Sequence, residues 1–550
     1  MFVREQVVKR GNTRYRYLKV VENIRNGAAT RQKTLINLGN VEDWPAGKLN
    51  EALKLLAAFV GVDISVLADV QFGDCRQLGP ALVLSHMWTQ LGLDQIVERA
   101  LDGRRVEIDV AAYARTMVLN RLIAPCSKKA AWEWAERDVL LPGIQGSSLA
   151  LHGYYRSLEY LSSTKTAIEK ALHSQVKDLF NQDLSLVLYD LTSTYFEGKG
   201  CERAKHGYSR DHRPDLVQIE IGLLVDAEGI PIGHEVFDGN VKDVATVLPT
   251  LKRMKDEFGI ARCIFVSDDG MVSEENLNAL QKEGYEYITS LSLGNSVVGG
   301  ELISTMPAKK QFAKLADNLW ILTLRKDGPL RYIATYNQDR ARASRRHRKK
   351  RLQACVDCLR QLQAPPKLRA RRRTPEQVCQ VADRFLRRKA CRNFFVLGHD
   401  AAGRLEFRLN RDTLRGCWRK DGFLILKTNA PTLSDEEVAK AYRTLWRVEN
   451  AFRHIKDVVD LRPIRHWKDP RVLGHVFVCV LAYTIERLLD KRLHDANLQL
   501  SAISALTELA SLTVATLDLE GKTVRRRSRI TAAQSQILAA VGVAKVPELW

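Results

Sequence analysis

Between residues 184 and 293, short apolar segments alternate with helical periodicity in an order that few folds accommodate. Three strands are predicted first, at "LSLVLYD" (184–190), "LVQIEIGLLVD" (216–226) and "IPIGHEVF" (230–237). A helix capped by Asp243 and ended by Gly259 follows, and a later helix is capped by Ser273. Two further strands are predicted around these helices, at "CIFVSD" (263–268) and "YEYITSLSL" (285–293). The segment therefore predicts an α/β unit in the order three strands, helix, strand, helix, strand, with the second and third strands in a hairpin.

The first and fourth of these strands each end in an aspartate, Asp190 and Asp268. The order of strands and helices matches the ribonuclease-H-like fold, in which the first and fourth strands are neighbours in a mixed sheet. We therefore expect the two carboxylates to lie close together. A second aspartate follows directly, but strand alternation places Asp268 in phase with Ile264 and Val266. Asp269 is expected to cap the turn or to face solvent.

Residues 436–460 predict one amphipathic helix with Ser434 as its N-cap. A core stripe is predicted at helical spacing: Leu445, Val448, Phe452, Ile455 and Val459. A second stripe beside it contains Tyr442, Trp446, Glu449, Arg453 and Lys456. Glu449 either forms a surface ion pair with Arg453 or supplies a third carboxylate to the two aspartates. Three carboxylates suit two hard divalent cations, the arrangement that cleaves phosphodiesters.

The chain carries 85 Lys and Arg residues against 64 Asp and Glu residues, a net charge of +21, which predicts an anionic partner such as nucleic acid. The charge is concentrated between Arg340 and Arg392, in "SRRHRKKR" and "RARRR". The candidate phosphate contacts there are Arg345, Arg346, Arg348, Lys349, Lys350, Arg371, Arg372 and Arg373. The alternative is a solvated helical hairpin without a partner.

We expect neither export nor membrane insertion, because no secretory signal is visible and the longest apolar run, Val472–Ile485, is too short to span a bilayer. The ten cysteines are then expected to be reduced. Cys355 and Cys358 form a CxxC pair inside a probable helix, but no second close pair of ligands follows. We interpret them as ordinary thiols, and metal binding there stays open.

Four stretches in this order resemble the DDE transposases of bacterial insertion sequences, specifically the insertion-sequence-4-like group. They are "LVLYDLTSTYFEG", "GYSRDHRPDL", "VSDDGMVSEENL" and "YRTLWRVENAFRHIKDVVDLRPI". The resemblance implies that Asp190, Asp268 and Glu449 are the catalytic residues and bind two Mg²⁺ ions, for which Mn²⁺ can substitute. It also implies phosphate contacts for Tyr442 and Lys456. The family arginine position holds Leu445, so Arg443, Arg447 or Arg453 is expected to replace it.

The pattern of strands and helices divides the chain into domains, and the resemblance adds roles for some of them. In the first 45 residues, "YRYLKVVENI" and "RQKTLINLG" predict a hairpin, and "KLNEALKLLAAFVG" after them predicts a helix. We expect a small β unit that binds DNA (1–45), a helical region for end binding and dimerisation (46–180), the first part of a ribonuclease-H-like core (181–293), a β-rich basic insertion (294–432), the second part of the core with the glutamate helix (433–497) and a C-terminal tail (498–550).

The implied activity is metal-dependent cleavage and strand transfer at the ends of the protein's own mobile element. The expected partners are double-stranded DNA, as terminal inverted repeats and target, and a second copy of the chain in a homodimer. The expected location is the bacterial cytoplasm, at the nucleoid. Two alternatives stay open: a catalytically silent DNA-binding protein derived from a transposase, and a nuclease of the same fold.

Overall fold

The computed structural model describes residues 2–10, 13–26, 29–40, 70–180, 185–260, 263–271, 273–294, 296–364, 374–519 and 522–546. The chain forms two compact units. The first comprises Met1–Leu172, Ile455–Leu461 and Lys468–Trp550, and the second comprises His173–His454 and Arg462–Trp467. The predicted helix at "KLNEALKLLAAFVG" and the basic run Arg371–Arg373 lie outside the described residues.

The N-terminal part begins with strands and continues with helices. The strands are β1 (Phe2–Arg10), β2 (Thr13–Asn26), β3 (Ala29–Asn40) and β4 (Val70–Gln77). The helices are α1 (Gly79–Gln90), α2 (Leu93–Ala100), α3 (Val110–Ile123), α4 (Lys128–Arg137) and α5 (Leu151–Phe180). Strands β2 and β3 pair in the predicted hairpin, and β1 adds a third antiparallel strand that the sequence analysis does not include.

The α/β segment contains the predicted elements in the predicted order. They are β5 (Leu186–Tyr195), β6 (Gln218–Asp226), β7 (Pro231–Asp238), α6 (Val247–Asp256), β8 (Ile264–Ser267), α7 (Glu274–Lys282) and β9 (Glu286–Leu291). Strand β5 continues five residues beyond Asp190, whereas the sequence predicts that it ends there. It does so because β6 pairs with β5 as far as Tyr195, which lies opposite Gln218.

The segment 294–432, predicted as a β-rich basic insertion, contains both strands and long helices. Its elements are α8 (Val297–Ser304), β10 (Ala313–Ala316), β11 (Leu319–Asp327), β12 (Leu330–Asn337), α9 (Gln338–Gln363), α10 (Pro375–Arg388), β13 (Phe395–His399), β14 (Leu405–Leu409), α11 (Arg411–Lys420) and β15 (Phe423–Thr428). Four of its strands extend the sheet of the α/β segment, so the insertion shares that sheet.

The excursion from α9 to α11 leaves this sheet after β12 and returns at β15. The two strands are antiparallel neighbours, with Tyr336 opposite Phe423. Asn337 N donates to Gly422 O at 2.8 Å, so the two ends of the excursion meet. Inside it, α9, α10 and strands β13 and β14 enclose a separate apolar core that includes Leu359, Leu386 and Phe395.

The large sheet has the strand order β10-β11-β12-β15-β9-β8-β5-β6-β7. Within it β5 runs parallel to β8 and antiparallel to β6, and β8 runs parallel to β9. The order β7-β6-β5-β8-β9 with these directions is that of a ribonuclease-H-like core. The prediction that the first and fourth strands are neighbours is confirmed, with Leu188 opposite Val266.

One face of this sheet is covered by a buried cluster from β5, β8 and helices α6 and α7. It includes Val187, Tyr189, Leu191, Leu251 and Leu277. Because side chains alternate along a strand, Asp190 lies on the opposite face from Tyr189 and Leu191. Pairing between β5 and β8 stops two residues before Asp190, so its side chain lies just beyond the end of the parallel ladder.

The chain ends with α12 (Asp435–Arg443), α13 (Trp446–Arg453), α14 (Asp469–Asp495), α15 (Ala502–Leu509), β16 (Thr513–Leu519), β17 (Lys522–Arg527) and α16 (Ala532–Val541). The predicted single helix 436–460 is therefore wrong in its continuity. It is interrupted at Thr444, whose hydroxyl bonds Ala441 O at 2.6 Å, and it changes to a π-helical turn at His454–Val458. Ser434 is the N-cap of α12, as predicted, and forms a capping box with Glu437. The five residues of the predicted core stripe are all buried.

The segment 498–550 is folded, not an extended tail, within its described residues. Strand β16 pairs with β17 and with β4, a partner more than 430 residues earlier in the chain. Helix α14 is long and apolar enough to cross a membrane, but 89% of its most apolar stretch is buried within the protein. It is the central helix of the first unit, where it packs against α1, α3, α15 and α16.

Candidate active site

One pocket in the second unit brings the three predicted carboxylates together. Asp190 on β5, Asp268 after β8 and Glu449 on α13 line a pocket of about 330 Å³. Arg210 and Asp243 line it as well. These side chains come from distant parts of the sequence, so only the parallel pairing of β5 with β8 and the packing of α13 against β5 bring them into one pocket.

Asp268 is held by three hydrogen bonds to one oxygen. Its Oδ1 accepts from Ser290 Oγ at 2.7 Å, from Asp269 N at 2.8 Å and from Tyr442 Oη at 3.2 Å. Burial, together with the Asp268 charge, raises the pKa of Tyr442, so the phenol keeps the proton that it donates. The structure thus gives Tyr442 a carboxylate partner, and its predicted phosphate contact stays a prediction.

Asp190 lies where negative charge is poorly compensated. Burial raises the pKa of its carboxyl group to about 7, and the carboxylates of Glu449 and Asp268 act in the same direction. The Leu191 N–H, which donates to Asp190 Oδ1 at 2.8 Å, and the charge of Arg210 oppose this shift. Three acidic groups that share one pocket favour binding of a cation between them.

Arg210 is the main positive charge of the pocket and is not among the residues predicted to act there. It donates to Glu220 Oε2 at 2.7 Å and to Asp243 Oδ2 at 2.8 Å. Its own N–H donates to Ser193 Oγ at 2.8 Å. Glu220 is buried on β6, and a buried carboxylate needs a cation. The sequence does not reveal this burial, because Glu220 alternates with Ile219 and Ile221 as a solvent-facing residue would.

The donor set fits a hard divalent cation, although the geometry is not that of a closed metal site. All three carboxylates offer oxygen, the donor that Mg²⁺ prefers. Within the described residues, no three His, Cys, Asp or Glu side chains are close enough to hold an ion by themselves. Ions at this place would therefore keep water or substrate oxygens among their ligands.

The alternative interpretation of Glu449, an ion pair with Arg453, is not observed among the ion pairs of the described residues. Both side chains are exposed, and Glu449 lines the pocket instead. Leu445 is buried, as the core stripe predicts. Arg443 is exposed and Arg447 half-buried. The replacement of the family arginine by Arg443, Arg447 or Arg453 stays a prediction.

Lys456 differs from the other predicted phosphate contacts because its side chain is buried. It lies in the π-helical turn, within the segment Ile455–Leu461 that belongs to the first unit.

The basic helix α9 divides into paired and exposed cations. Arg345 and Arg348 both form ion pairs with Asp421, a buried carboxylate. Arg346, Lys349 and Lys350 are exposed.

The cysteines are free thiols, all ten of them. Cys355 of the CxxC pair lies in the apolar core of the excursion with Cys391.

Comparison with known proteins identifies a family whose domain includes the three carboxylates of the pocket. Residues 181–485, more than half of the chain and including all three carboxylates, match the family model described as transposase DDE domain. The chain belongs to the DDE transposase family. Residues 4–61 of this transposase match the N-terminal domain of IS1634 family transposases, which supports a bacterial insertion-sequence origin.

No curated protein matches the transposase. Among solved structures it is similar to a piggyBac transposase synaptic complex with hairpin DNA, at 10% identity and a TM-score of 0.39 over 78% of this chain and 79% of that one.

Proposed function

We propose that the protein cleaves DNA at the ends of its own mobile element and joins those ends to a target, as a member of the insertion-sequence-4-like group. The observation that carries this proposal is the convergence of Asp190, Asp268 and Glu449 on one pocket. Two Mg²⁺ or Mn²⁺ ions held by these carboxylates would activate the attacking oxygen and stabilise the leaving oxygen.

The protein's own residues prepare the pocket for this chemistry. Asp268 is oriented before any ion binds, because its Oδ1 accepts hydrogen bonds from Ser290, Tyr442 and the Asp269 N–H. Its side chain therefore needs little movement to bind an ion. Arg210 supplies positive charge at the wall, held in place by Glu220 and Asp243. A phosphodiester group could enter a pocket of about 330 Å³ beside it.

The proposal includes the partners and the location expected from the sequence. The DNA would be double-stranded, as terminal inverted repeats and as target, and two copies of the chain would bridge two ends. The basic helix α9 supports binding to a polyanion, because Arg346, Lys349 and Lys350 are exposed. The site of action would be the bacterial nucleoid.

The test is cleavage of DNA that carries the inverted repeats flanking the coding region, with Mg²⁺ present. Asp190→Asn, Asp268→Asn and Glu449→Gln should each abolish cleavage while end binding is retained. Glu436→Gln, an exposed carboxylate in the first turn of α12, is the matched control and should cleave normally. A wild-type protein that binds ends without cleaving them would identify the silent binder.

Joining is measured separately, by incubating pre-cleaved ends that carry a free 3′-hydroxyl with a target plasmid. Products in which the end is covalently attached to the plasmid distinguish a transposase from a nuclease. Cleavage without such products would contradict the strand-transfer part of the proposal.

A further inference from the structure

The loop between β5 and β6 displays an aromatic ring to solvent at the edge of the active-site pocket. Tyr208 is 81% exposed, more than any other large hydrophobic side chain of the described residues. The loop belongs to the stretch "GYSRDHRPDL", in which neither the family resemblance nor the proposed mechanism gives Tyr208 a role.

The ring is exposed although the backbone around Tyr208 is held by hydrogen bonds. The buried Gln218 side chain donates from Nε2 to Tyr208 O at 3.0 Å and to Gly239 O at 2.9 Å. Gly207 lies so close to Gly239 O that a Cβ would approach that atom to 2.0 Å. Two residues after Tyr208, the Arg210 N–H is bound by Ser193. The backbone is therefore fixed on both sides of a side chain that remains in water.

The ring also has a defined position relative to the carboxylates. The guanidinium carbon of Arg210 lies 5.8 Å from the centroid of the Tyr208 ring, and Arg210 lines the pocket with Asp190. A molecule whose phosphate entered the pocket would thus place its neighbouring groups beside Tyr208.

The surroundings of the ring select the kind of group that it would contact. Lys205 and Arg213 are exposed on the same loop, and Arg213 also forms an ion pair with Asp215 at 2.8 Å. An aromatic ring among cations suits a nucleic-acid strand, because a base can stack on the ring while phosphates lie near the charges. An apolar protein partner would require neighbouring apolar side chains.

On the basis of the proposed function, we propose that Tyr208 stacks on an unpaired nucleobase next to the phosphate that is cleaved. Stacking of this kind tolerates every base, because each has a π-face, so Tyr208 would select strand separation and not sequence. It is a substrate-binding residue that makes an end with splayed strands a better ligand than a fully paired end.

The test measures binding in the Glu449→Gln background, where cleavage does not interfere. Two fluorescent duplexes carrying the terminal inverted repeat are compared by anisotropy: one fully paired, one with two mismatched nucleotides at the cleavage site. Tyr208→Ala should weaken binding to the mismatched duplex by about tenfold or more, with a smaller effect on the paired one. Tyr208→Phe and Tyr208→Trp should restore the preference, since each keeps an aromatic face.

Val297→Ala is the matched control, because Val297 is also a largely exposed apolar side chain but does not line the pocket. Equal binding of both duplexes by Tyr208→Ala and its parent would overturn the inference. So would a Tyr208→Phe variant as weak as Tyr208→Ala, because the hydroxyl would then be the contact. Failure of the wild-type protein to cleave leaves this binding test intact, whereas failure to bind either duplex refutes both proposals.

Discussion

At the scale of single residues, Tyr442 has two candidate roles. The family resemblance implies a phosphate contact, whereas the structure shows a hydrogen bond to a carboxylate. Its hydroxyl donates to Asp268, next to the bond from Ser290. If Tyr442 orients this carboxylate, Tyr442→Phe should lower cleavage by about tenfold to a hundredfold and raise the Mg²⁺ concentration needed for half-maximal rate. End binding should stay unchanged.

The two roles predict opposite patterns, so a titration of Mg²⁺ beside a binding isotherm distinguishes them. Weaker end binding with an unchanged Mg²⁺ requirement would assign Tyr442 to a phosphate and not to Asp268. Tyr160→Phe, a tyrosine of the first unit, serves as the control for general effects of removing a phenol.

A second residue-scale prediction concerns Lys128, which is buried on α4. Burial, with a smaller effect from the charge of Arg121, lowers the pKa of its ammonium group to about 7. Between about pH 7 and 10.5, the unfolded chain then binds more protons at this residue than the folded one. Stability contributed by this residue therefore rises with pH through that window.

Lys128→Met removes the buried charge, so at pH 7 it should raise the free energy of unfolding by about 1–4 kcal/mol. The gain should shrink toward pH 10, and urea denaturation at several pH values measures it. The adjacent Lys129 is exposed, and Lys129→Met should follow the wild-type pH dependence. A gain that does not change with pH would contradict a depressed pKa.

At the scale of secondary-structure elements, the start of α12 is fixed by the insertion. Arg331 on β12 donates to Asp435 Oδ1 at 2.7 Å, to Leu433 O at 2.6 Å and to Ala430 O at 2.5 Å. Arg331→Met leaves these partly buried acceptors without a donor, which should cost about 2–3 kcal/mol of stability. Because α12 carries Tyr442, cleavage should fall as well.

Arg342→Met is the control for this change, since Arg342 and its partner Asp339 are both exposed. Thermal unfolding and cleavage of the two variants are compared under the same conditions. Equal melting temperatures for Arg331→Met and Arg342→Met would show that the contact does not stabilise α12.

The strand and helix order of the core was predictable because each element has its own local periodicity. The two aspartates followed from that order, whereas the helix pattern left two roles open for Glu449 and the family resemblance pointed to the third carboxylate. The continuation of β5 to Tyr195 was not predictable, since it depends on pairing with β6. Arg210 was missed for a similar reason: its partners Glu220 and Asp243 meet it only after folding. The pairing of β16 with β4 likewise leaves no local signal.

At the scale of the whole molecule, the excess of positive charge is not uniform in its role. Lys349 and Lys350 are exposed on α9, whereas Arg348 pairs with the buried Asp421. Lys349→Ala with Lys350→Ala should weaken DNA binding without a change in melting temperature. The slope of log binding constant against log salt should become shallower by about 0.9 for each phosphate that the variant no longer neutralises.

Arg348→Ala should give the reverse result, a lower melting temperature with little change in the salt slope. Filter binding across a series of salt concentrations, with thermal unfolding alongside, measures both quantities. An unchanged salt slope in the double lysine variant would show that α9 does not contact the DNA backbone.

The excursion from α9 to α11 begins and ends at adjacent strands and encloses its own apolar core. Such a segment can be removed as a unit, because a hairpin turn between Asn337 and Gly422 would connect β12 directly to β15. If α9 binds DNA as proposed, replacement of this basic segment by another would change the DNA that the protein binds. The carboxylates and the strands that carry them would not have to be redesigned.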